Sequence, residues 1–301
     1  MEYPAKIILF GEYGILLDSK ALAIPYPRFS GKFSFTDASQ IDRSELANES
    51  NLALRKLYNF LKTRMVDFQF LNIAQFDQDI ENGLYFDSSI PSGSGLGSSG
   101  ALTAALFDRY KNINHSFDIQ IIKKYLTAIE SCFHGVSSGI DPIISWIKKP
   151  LLWENQNSQN SAIDISPFSN EYTLFLINSH THGNTGTFVK YFIERYHQSD
   201  FKQKIDFEYI PTINQTVDAL LAADFSTFEN LLSKYSQFQI SYFKPMIPVN
   251  MVDYFKYGIE SGDFYLKICG SGGGGYVLGI SRNRKEAETY FNLNHLDYTI
   301  V

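Results

Sequence analysis

The pattern of hydrophobic and polar positions divides the chain into blocks of strand and blocks of helix. Mostly apolar runs at 6–17 and 21–27, followed by alternating apolar and polar residues at 29–36, predict strands at the start of the chain, with breaks at 18–19 and 30–31. Leucines then recur among charged residues from Glu45 to Met65 and predict a helix. Because the strands and helices are grouped instead of alternating regularly, the pattern favours an α+β fold.

The middle of the chain combines a predicted strand at 83–90, a loop rich in Gly and Ser, and a predicted helix at 98–110. A second helix is predicted from about residue 118 to the glycine at 135, because its apolar residues recur at steps of four, three and four. A short helix is predicted at 141–147, and a strand follows it. The polar tract at 154–161 has no apolar period and marks a surface loop or a domain junction.

The second half predicts a strand at 173–179, several amphipathic helices, and two strands around a glycine tract at 264–281. A further helix and a final strand complete it. We therefore expect two domains, covering residues 1–160 and 161–301.

Composition and charge narrow the class of protein. The 301 residues carry 26 Lys and Arg against 32 Asp and Glu, and 44% of them are hydrophobic. A modestly acidic chain without a basic run is not expected to bind nucleic acid, and no apolar stretch is long enough to suggest a membrane partner. The two cysteines show no metal-ligand spacing, and the N-terminus lacks the features of a signal peptide, so a cytoplasmic protein is expected. Whether it forms a homodimer stays open.

The loop PSGSGLGSSGA suits the binding of phosphate. Glycines at 93, 95 and 97 let the backbone approach a ligand, and Ser98 and Ser99 stand where a helix should begin. Amide groups and the positive end of the helix dipole would then face an anion. The alternative is a flexible turn before a capped helix. No Walker P-loop motif occurs, and the two GxGxxG matches lie outside any evident βαβ unit.

Three further features carry candidate chemistry. The stretch from Glu130 to Asp141 passes from one predicted helix to the next, and either residue could instead be a solvated flank or a helix cap. Lys6 is a lone charge in an apolar strand, which is more often a solvated edge. Five glycines surround Ser271 between two strands, which indicates close approach to a ligand or to another loop.

Together, the stretches PAKIILFGEYG, PSGSGLGSSGA and KICGSGGGGY resemble the three signature motifs of the GHMP kinase superfamily, in the same order. The link ExxxHGxxSGID from Glu130 to Asp141 is most similar to the mevalonate kinase family. The resemblance implies a β-rich N-terminal nucleotide-binding domain and a C-terminal α/β-sandwich-like domain. It also implies ATP and Mg²⁺ as cofactors and a small-molecule substrate, for which mevalonate is the leading candidate.

The resemblance also implies roles for residues. Asp141 would be the catalytic base and Lys6 its charge partner, and Ser99 and Glu130 would hold Mg²⁺. The nucleotide would contact Ser88, Gly93, Ser94, Gly95, Leu96, Gly97, Ser98 and Ser99. The acceptor side would include Glu12, Tyr13, His182 and Thr185.

The sequence departs from the family pattern at four positions. Tyr13 stands where mevalonate kinases usually have His, Ala5 where they have Gly, and Ser137 where they have Pro. Gly183 stands where an Arg usually precedes the Asn-Thr pair, so an acceptor carboxylate would have to be met by Lys6, by His180 or His182, or by backbone amides. The alternatives are phosphomevalonate or a sugar as the acceptor, a decarboxylase, and a non-catalytic nucleotide-binding sensor.

Overall fold

A computed structural model describes residues 1–36, 44–112, 118–154, 157–159, 163–183 and 185–301. Two compact units interleave along the sequence. The first contains residues 1–6, 25–91 and 97–148, and the second contains residues 7–24, 92–96 and 149–301. The expected boundary between residues 160 and 161 stays a prediction.

The first unit consists of helices and a small antiparallel pairing of strands. Its elements are β1 (Tyr3–Phe10) and β2 (Ala21–Phe35), which both continue into the second unit, with α1 (Ser44–Thr63), α2 (Ile73–Glu81), β3 (Leu84–Ser88), α3 (Ser98–Tyr110), α4 (Ile119–His134) and α5 (Ile140–Ile147). In this unit β2 pairs with β3, from Gly31 opposite Ser88 to Phe35 opposite Leu84. Helix α3 packs against both α4 and α5.

The second unit is built around an antiparallel sheet. Its further elements are β4 (Leu151–Glu154), β5 (Asn157–Gln159), α6 (Ser166–Glu171), β6 (Thr173–Asn178), α7 (Thr185–Tyr196), α8 (Ser199–Lys204), α9 (Ile210–Leu221), α10 (Phe225–Tyr242), α11 (Val252–Ser261), β7 (Tyr265–Ile268), β8 (Tyr276–Ser281), α12 (Arg284–Leu293) and β9 (Tyr298–Ile300). The sheet order is β7-β8-β6-β9. Elsewhere in this unit, the first residues of β2 pair with β4, which pairs with β5.

Helix α4 shows how the sequence pattern positions a site residue. The Asp118 side chain accepts a hydrogen bond from the Gln120 amide and caps the helix. Leu126 and Ile129 are fully buried, as the apolar period predicts, which brings the neighbouring Glu130 to the protein interior. Phe133 ends the predicted stripe but is 37% exposed, so the buried face ends one turn earlier than predicted.

Several elements differ from the prediction. The strand predicted at 6–17 ends at Phe10, and Gly14–Leu17 form a 3₁₀ turn. The break predicted within 21–36 is absent, because Gly31 is accommodated in a continuous β2 with its partner strand. Helices α2 and α6 were not predicted, and β5 lies within the tract predicted as a loop. Across these ranges no helix has both the length and the apolar character needed to cross a membrane.

Candidate active site

Lys6 and Asp141 form an ion pair within the first unit. Lys6 Nζ lies 3.1 Å from Asp141 Oδ1, and the Lys6 side chain is 1% exposed whereas that of Asp141 is 25% exposed. The lone Lys of β1 is therefore buried, and the reading of Lys6 as a solvated strand edge is wrong. The pair combines a sheltered cation with a carboxylate that solvent can reach.

The start of α3 lies directly against this ion pair. A Cβ atom at Gly97 would lie 2.9 Å from Lys6 Cγ and 3.3 Å from Asp141 Oδ2. A Cβ atom at Gly100 would lie 2.8 Å from the Asp141 Cβ. Ala101 N–H donates to the Gly97 carbonyl at 3.0 Å, so the amide groups of residues 98–100 lie at the positive end of the helix. Glycine is required at both positions for Asp141 to approach the beginning of the helix.

Glu130 is the second carboxylate of the first unit's site, and it is only 5% exposed. Ser99 Oγ donates to Glu130 Oε1 at 3.4 Å, and Ser137 Oγ donates to Oε2. Burial, followed by the negative charge of Asp141, raises the pKa of the Glu130 carboxyl to about 8. A hydroxyl and a carboxylate are donors that suit Mg²⁺, and a bound cation would favour the charged carboxylate.

Metal ligands from the protein alone are few. Within the described residues, no three His, Cys, Asp or Glu side chains gather into a metal-binding group. Mg²⁺ usually keeps waters and binds substrate phosphates with one or two protein carboxylates, so the donors at Ser99 and Glu130 fit this ion.

The first part of the predicted phosphate loop belongs to the second unit. Gly93 and Gly95 have φ angles of 67° and 80°, a region that favours glycine. The Ser94 carbonyl accepts a hydrogen bond from Tyr276 N–H at 3.0 Å, and Ser94 Oγ accepts one from Leu96 N–H at 3.3 Å. Leu96 is fully buried and anchors the loop.

Four predicted nucleotide contacts belong to the first unit, and one of them is Gly97 beside the ion pair. Ser98 and Ser99 are half-buried at the first turn of α3. Ser88 is exposed at the end of β3, where its Oγ accepts a hydrogen bond from Ile90 N–H at 3.1 Å. The nucleotide contact of Ser88 stays a prediction.

Two predicted acceptor residues lie in the interior of the second unit. Glu12 is 2% exposed, and its carboxylate forms an ion pair with Lys267 and accepts a hydrogen bond from Tyr235 Oη at 3.0 Å. Tyr13 is 5% exposed, and its hydroxyl donates to the Ser271 carbonyl at 2.6 Å. Both side chains are thus engaged with their own unit, and their contact with an acceptor stays a prediction.

The other acceptor residues follow β6. His182 is exposed, and Thr185 begins α7 but its side chain lies outside the described residues. His180 Nε2 lies 3.6 Å from Asp297 Oδ2. A Cβ atom at Gly183 would lie 2.7 Å from the Gly272 carbonyl oxygen, so the Arg of the family pattern would require the backbone here to shift.

Sequence reasoning missed Lys267, Tyr235 and Ser137 as partners of the two buried glutamates. Lys267 had a usable signal, because it is a lone charge in the apolar strand YLKI, as Lys6 is in β1. Tyr235 and Ser137 had none, since their partners are known only once the chain is folded.

The chain is similar in sequence to known kinases of small molecules. Residues 53–148 match the family model for the GHMP kinases N terminal domain. Over 288 residues the chain is 25% identical to the mevalonate kinase of Archaeoglobus fulgidus, covering 94% of this chain and 92% of that protein. Residues 53–148 therefore carry the N-terminal domain of the GHMP kinases. The resemblance inferred from the three motifs is therefore confirmed.

Solved GHMP kinase structures confirm the fold class. The Methanococcus jannaschii mevalonate kinase matches with a TM-score of 0.64 at 19% identity, covering 100% of this chain and 96% of that one. The Streptococcus pneumoniae phosphomevalonate kinase, in complex with phosphomevalonate and AMPPNP, matches with a TM-score of 0.62 at 14% identity, covering 100% and 99%. The α+β GHMP kinase fold thus extends over the whole chain.

Proposed function

We propose that this GHMP kinase transfers the γ-phosphoryl group of ATP to a hydroxyl of a small molecule, and that mevalonate is the acceptor, giving 5-phosphomevalonate. The observation that carries the proposal is the Lys6–Asp141 ion pair at the start of α3. It places a reachable carboxylate, a buried cation and a helix N-terminus within a few ångströms of one another. A phosphoryl transfer needs a proton acceptor, a positive charge and an anion-binding backbone.

Asp141 would take the proton from the hydroxyl of the acceptor molecule while the oxygen of that hydroxyl forms a bond to the γ-phosphorus. The bond between that phosphorus and the β–γ bridging oxygen breaks, and ADP leaves with the electron pair. Lys6, which pairs with the Asp141 carboxylate, would offset the negative charge that develops during the transfer. Because most of the work is positioning and electrostatics, a rigid ion pair suits the reaction.

The residues present suit ATP with Mg²⁺. The amides at the start of α3 would face the phosphates, and Ser99 with Glu130 would hold the cation. Mg²⁺, when bound, neutralises phosphate charge during the transfer. Glu130 would release its proton on binding the cation. The charge of the cation would then compensate the buried carboxylate.

Two observations bear on the acceptor. The mevalonate kinase of Archaeoglobus fulgidus aligns with nearly the whole chain, and the Glu130–Asp141 link resembles that family, which together favour mevalonate. The absence of the family's Arg at Gly183 favours a second candidate, a neutral acceptor such as a sugar. A match to the Lactococcus lactis galactokinase complexed with galactose, with a TM-score of 0.58 at 12% identity, shows only that this fold can serve such a substrate.

Release of ADP from ATP and Mg²⁺ tests the proposal, with mevalonate, phosphomevalonate and a panel of monosaccharides as acceptors. We expect turnover with mevalonate and much less with the others. Turnover with a monosaccharide alone would replace the acceptor and retain the kinase. ATP binding without turnover of any acceptor would favour a nucleotide sensor and contradict the proposal.

A further inference from the structure

Tyr13 occupies an unusual position in the loop that follows β1. Its backbone has a φ of 60°, which bulky residues rarely adopt, so the surrounding contacts must hold it there. The ring centroid lies 4.7 Å from that of Phe192 and 5.5 Å from that of Phe243. The hydroxyl is directed at the glycine tract, defined here as Gly270–Gly275, and donates to the Ser271 carbonyl.

A buried polar network fixes the same loop from its other side. Lys267 Nζ pairs with Glu12 and donates to the carbonyls of Ile8, at 3.1 Å, and Ile268, at 2.8 Å. Tyr209 donates to the Glu12 carbonyl at 3.0 Å. The peptide before Tyr13 is therefore held in place. Because the Tyr13 backbone is fixed, its hydroxyl can fix the position of the glycine tract.

The glycine tract in turn lies against the first part of the phosphate loop. A Cβ atom at Gly270 would lie 3.0 Å from the Gly95 carbonyl oxygen, and one at Gly275 would overlap the Ser94 backbone. Tyr276 N–H, at the end of the tract, donates to the Ser94 carbonyl. Because backbone touches backbone here, a shift of the tract cannot be absorbed by a side chain and must move the phosphate loop.

We propose that Tyr13 is a positioning residue for the phosphate loop: its hydroxyl fixes the glycine tract at Ser271, and the tract holds residues 93–96 in the conformation that receives the nucleotide. Tyr13 therefore sets the affinity for ATP and does not select the acceptor. The inference rests on the proposed function, because it takes residues 93–99 as the phosphate loop.

Tyr13→Phe tests the inference, since it removes the hydroxyl and keeps the ring. Tyr172→Phe is the matched control, because Tyr172 is also 5% exposed in this unit and donates to a backbone carbonyl, that of Phe225 at 3.5 Å. Calorimetry without acceptor gives the Kd for ATP with Mg²⁺, steady-state kinetics give both KM values, and thermal unfolding reports stability. We expect Tyr13→Phe to raise the Kd and KM for ATP about three- to tenfold, with kcat and the acceptor KM within about twofold of wild type.

Three outcomes would overturn the inference. They are an unchanged Kd for ATP in Tyr13→Phe, a rise in the acceptor KM alone, or an equal loss of ATP affinity in Tyr172→Phe. The last would mean that general destabilisation, and not the contact with Ser271, weakens binding. A failure of the wild-type protein to bind ATP would instead overturn the proposed function, and the inference with it.

Discussion

The Ser137 hydroxyl donates a hydrogen bond to the buried carboxylate of Glu130, seven residues earlier in the chain. Ser137 Oγ also accepts a hydrogen bond from Gly139 N–H at 2.9 Å, so the turn between α4 and α5 is tied to Glu130. Proline, which the family pattern has here, could make neither bond. This departure from the pattern therefore supplies a partner for a carboxyl that burial and the charge of Asp141 would otherwise leave harder to ionise.

The raised pKa of Glu130 predicts how stability depends on pH. The unfolded carboxyl ionises near pH 4.5 and the folded one near pH 8, so unfolding releases a proton between these values. Without a divalent cation, stability should then fall as pH rises across this window, by up to about 1.4 kcal/mol per pH unit. Urea unfolding in EDTA at several pH values should show this slope reduced in Glu130→Gln. The slope should persist in Glu286→Gln, which changes an exposed glutamate.

Ser137→Ala should increase the requirement for Mg²⁺. Removing the Ser137 hydrogen bond raises the pKa of Glu130 further, because that bond favours the charged carboxylate. At pH 7 we expect the half-saturating Mg²⁺ concentration to rise about two- to tenfold, with a smaller difference at pH 9. Ser138→Ala is the control, since the Ser138 hydroxyl accepts from Ile140 N–H and not from a site residue. Identical Mg²⁺ titrations for the two variants would argue against this coupling.

Asp141→Asn should retain ATP binding and lose turnover. The amide has nearly the same size but cannot accept the acceptor's proton, so kcat should fall by about 10²- to 10⁴-fold. ADP release and calorimetry measure the two effects separately. Asp253→Asn, at a 90% exposed side chain, should behave as wild type. Near-normal turnover in Asp141→Asn would remove Asp141 from the role of base.

Gly95→Ala should cost more stability than Gly135→Ala. Both glycines have a positive φ, 80° and 78°, so both substitutions carry backbone strain. A Cβ atom at Gly95 would meet the Cys269 backbone, whereas one at Gly135 has nothing within 4 Å. The difference in unfolding free energy should be about 1–3 kcal/mol. Equal losses of unfolding free energy in the two variants would show that the Gly95 and Cys269 loops can move apart at no cost in stability.

A double-mutant cycle on Glu12 and Lys267 should reveal strong coupling. Glu12→Gln or Lys267→Met alone leaves one charge buried without its partner, which typically costs about 3–5 kcal/mol. The double variant should cost less than the sum of the singles, with a coupling of at least about 1 kcal/mol. Chemical unfolding of the four proteins measures this. Additive losses would mean that the ion pair does not stabilise the fold.

The sequence pattern predicted elements best where burial has a clear period. Helix α4 and strand β6 follow from apolar residues at helical spacing and in a continuous run. Gly14–Leu17 reads as a strand from its apolar residues, yet folds as a 3₁₀ turn, because Tyr13 and Asp18 on either side both adopt positive φ. The strand propensity of these residues does not reflect the backbone conformation that the fold imposes on their neighbours.

The candidate site was predictable for a different reason. The motif PAKIILFGEYG singled out Lys6, and the link ExxxHGxxSGID singled out Glu130 and Asp141, before any contact between them was known. Their environments were not predictable, because a lone Lys in a strand and a Glu on a helix are more often solvated. The reason for glycine at 183 also appears only in the folded chain, where the Gly272 carbonyl takes up the space that a side chain would need.

The interleaving of the two units has a consequence for synthesis on the ribosome. The first unit is fully translated once residue 148 is made, whereas residues 7–24 and 92–96 belong to a unit that needs the chain to residue 301. At 5–20 residues per second, translation of the rest takes on the order of ten seconds or more. During that interval the apolar segment Ile7–Phe10, buried in the native protein, lacks the partners that residues 149–301 supply, among them Phe228 beside Phe10 and Lys267, which donates to the Ile8 carbonyl. The nascent chain therefore exposes an aggregation-prone segment until the rest of the second unit has been made.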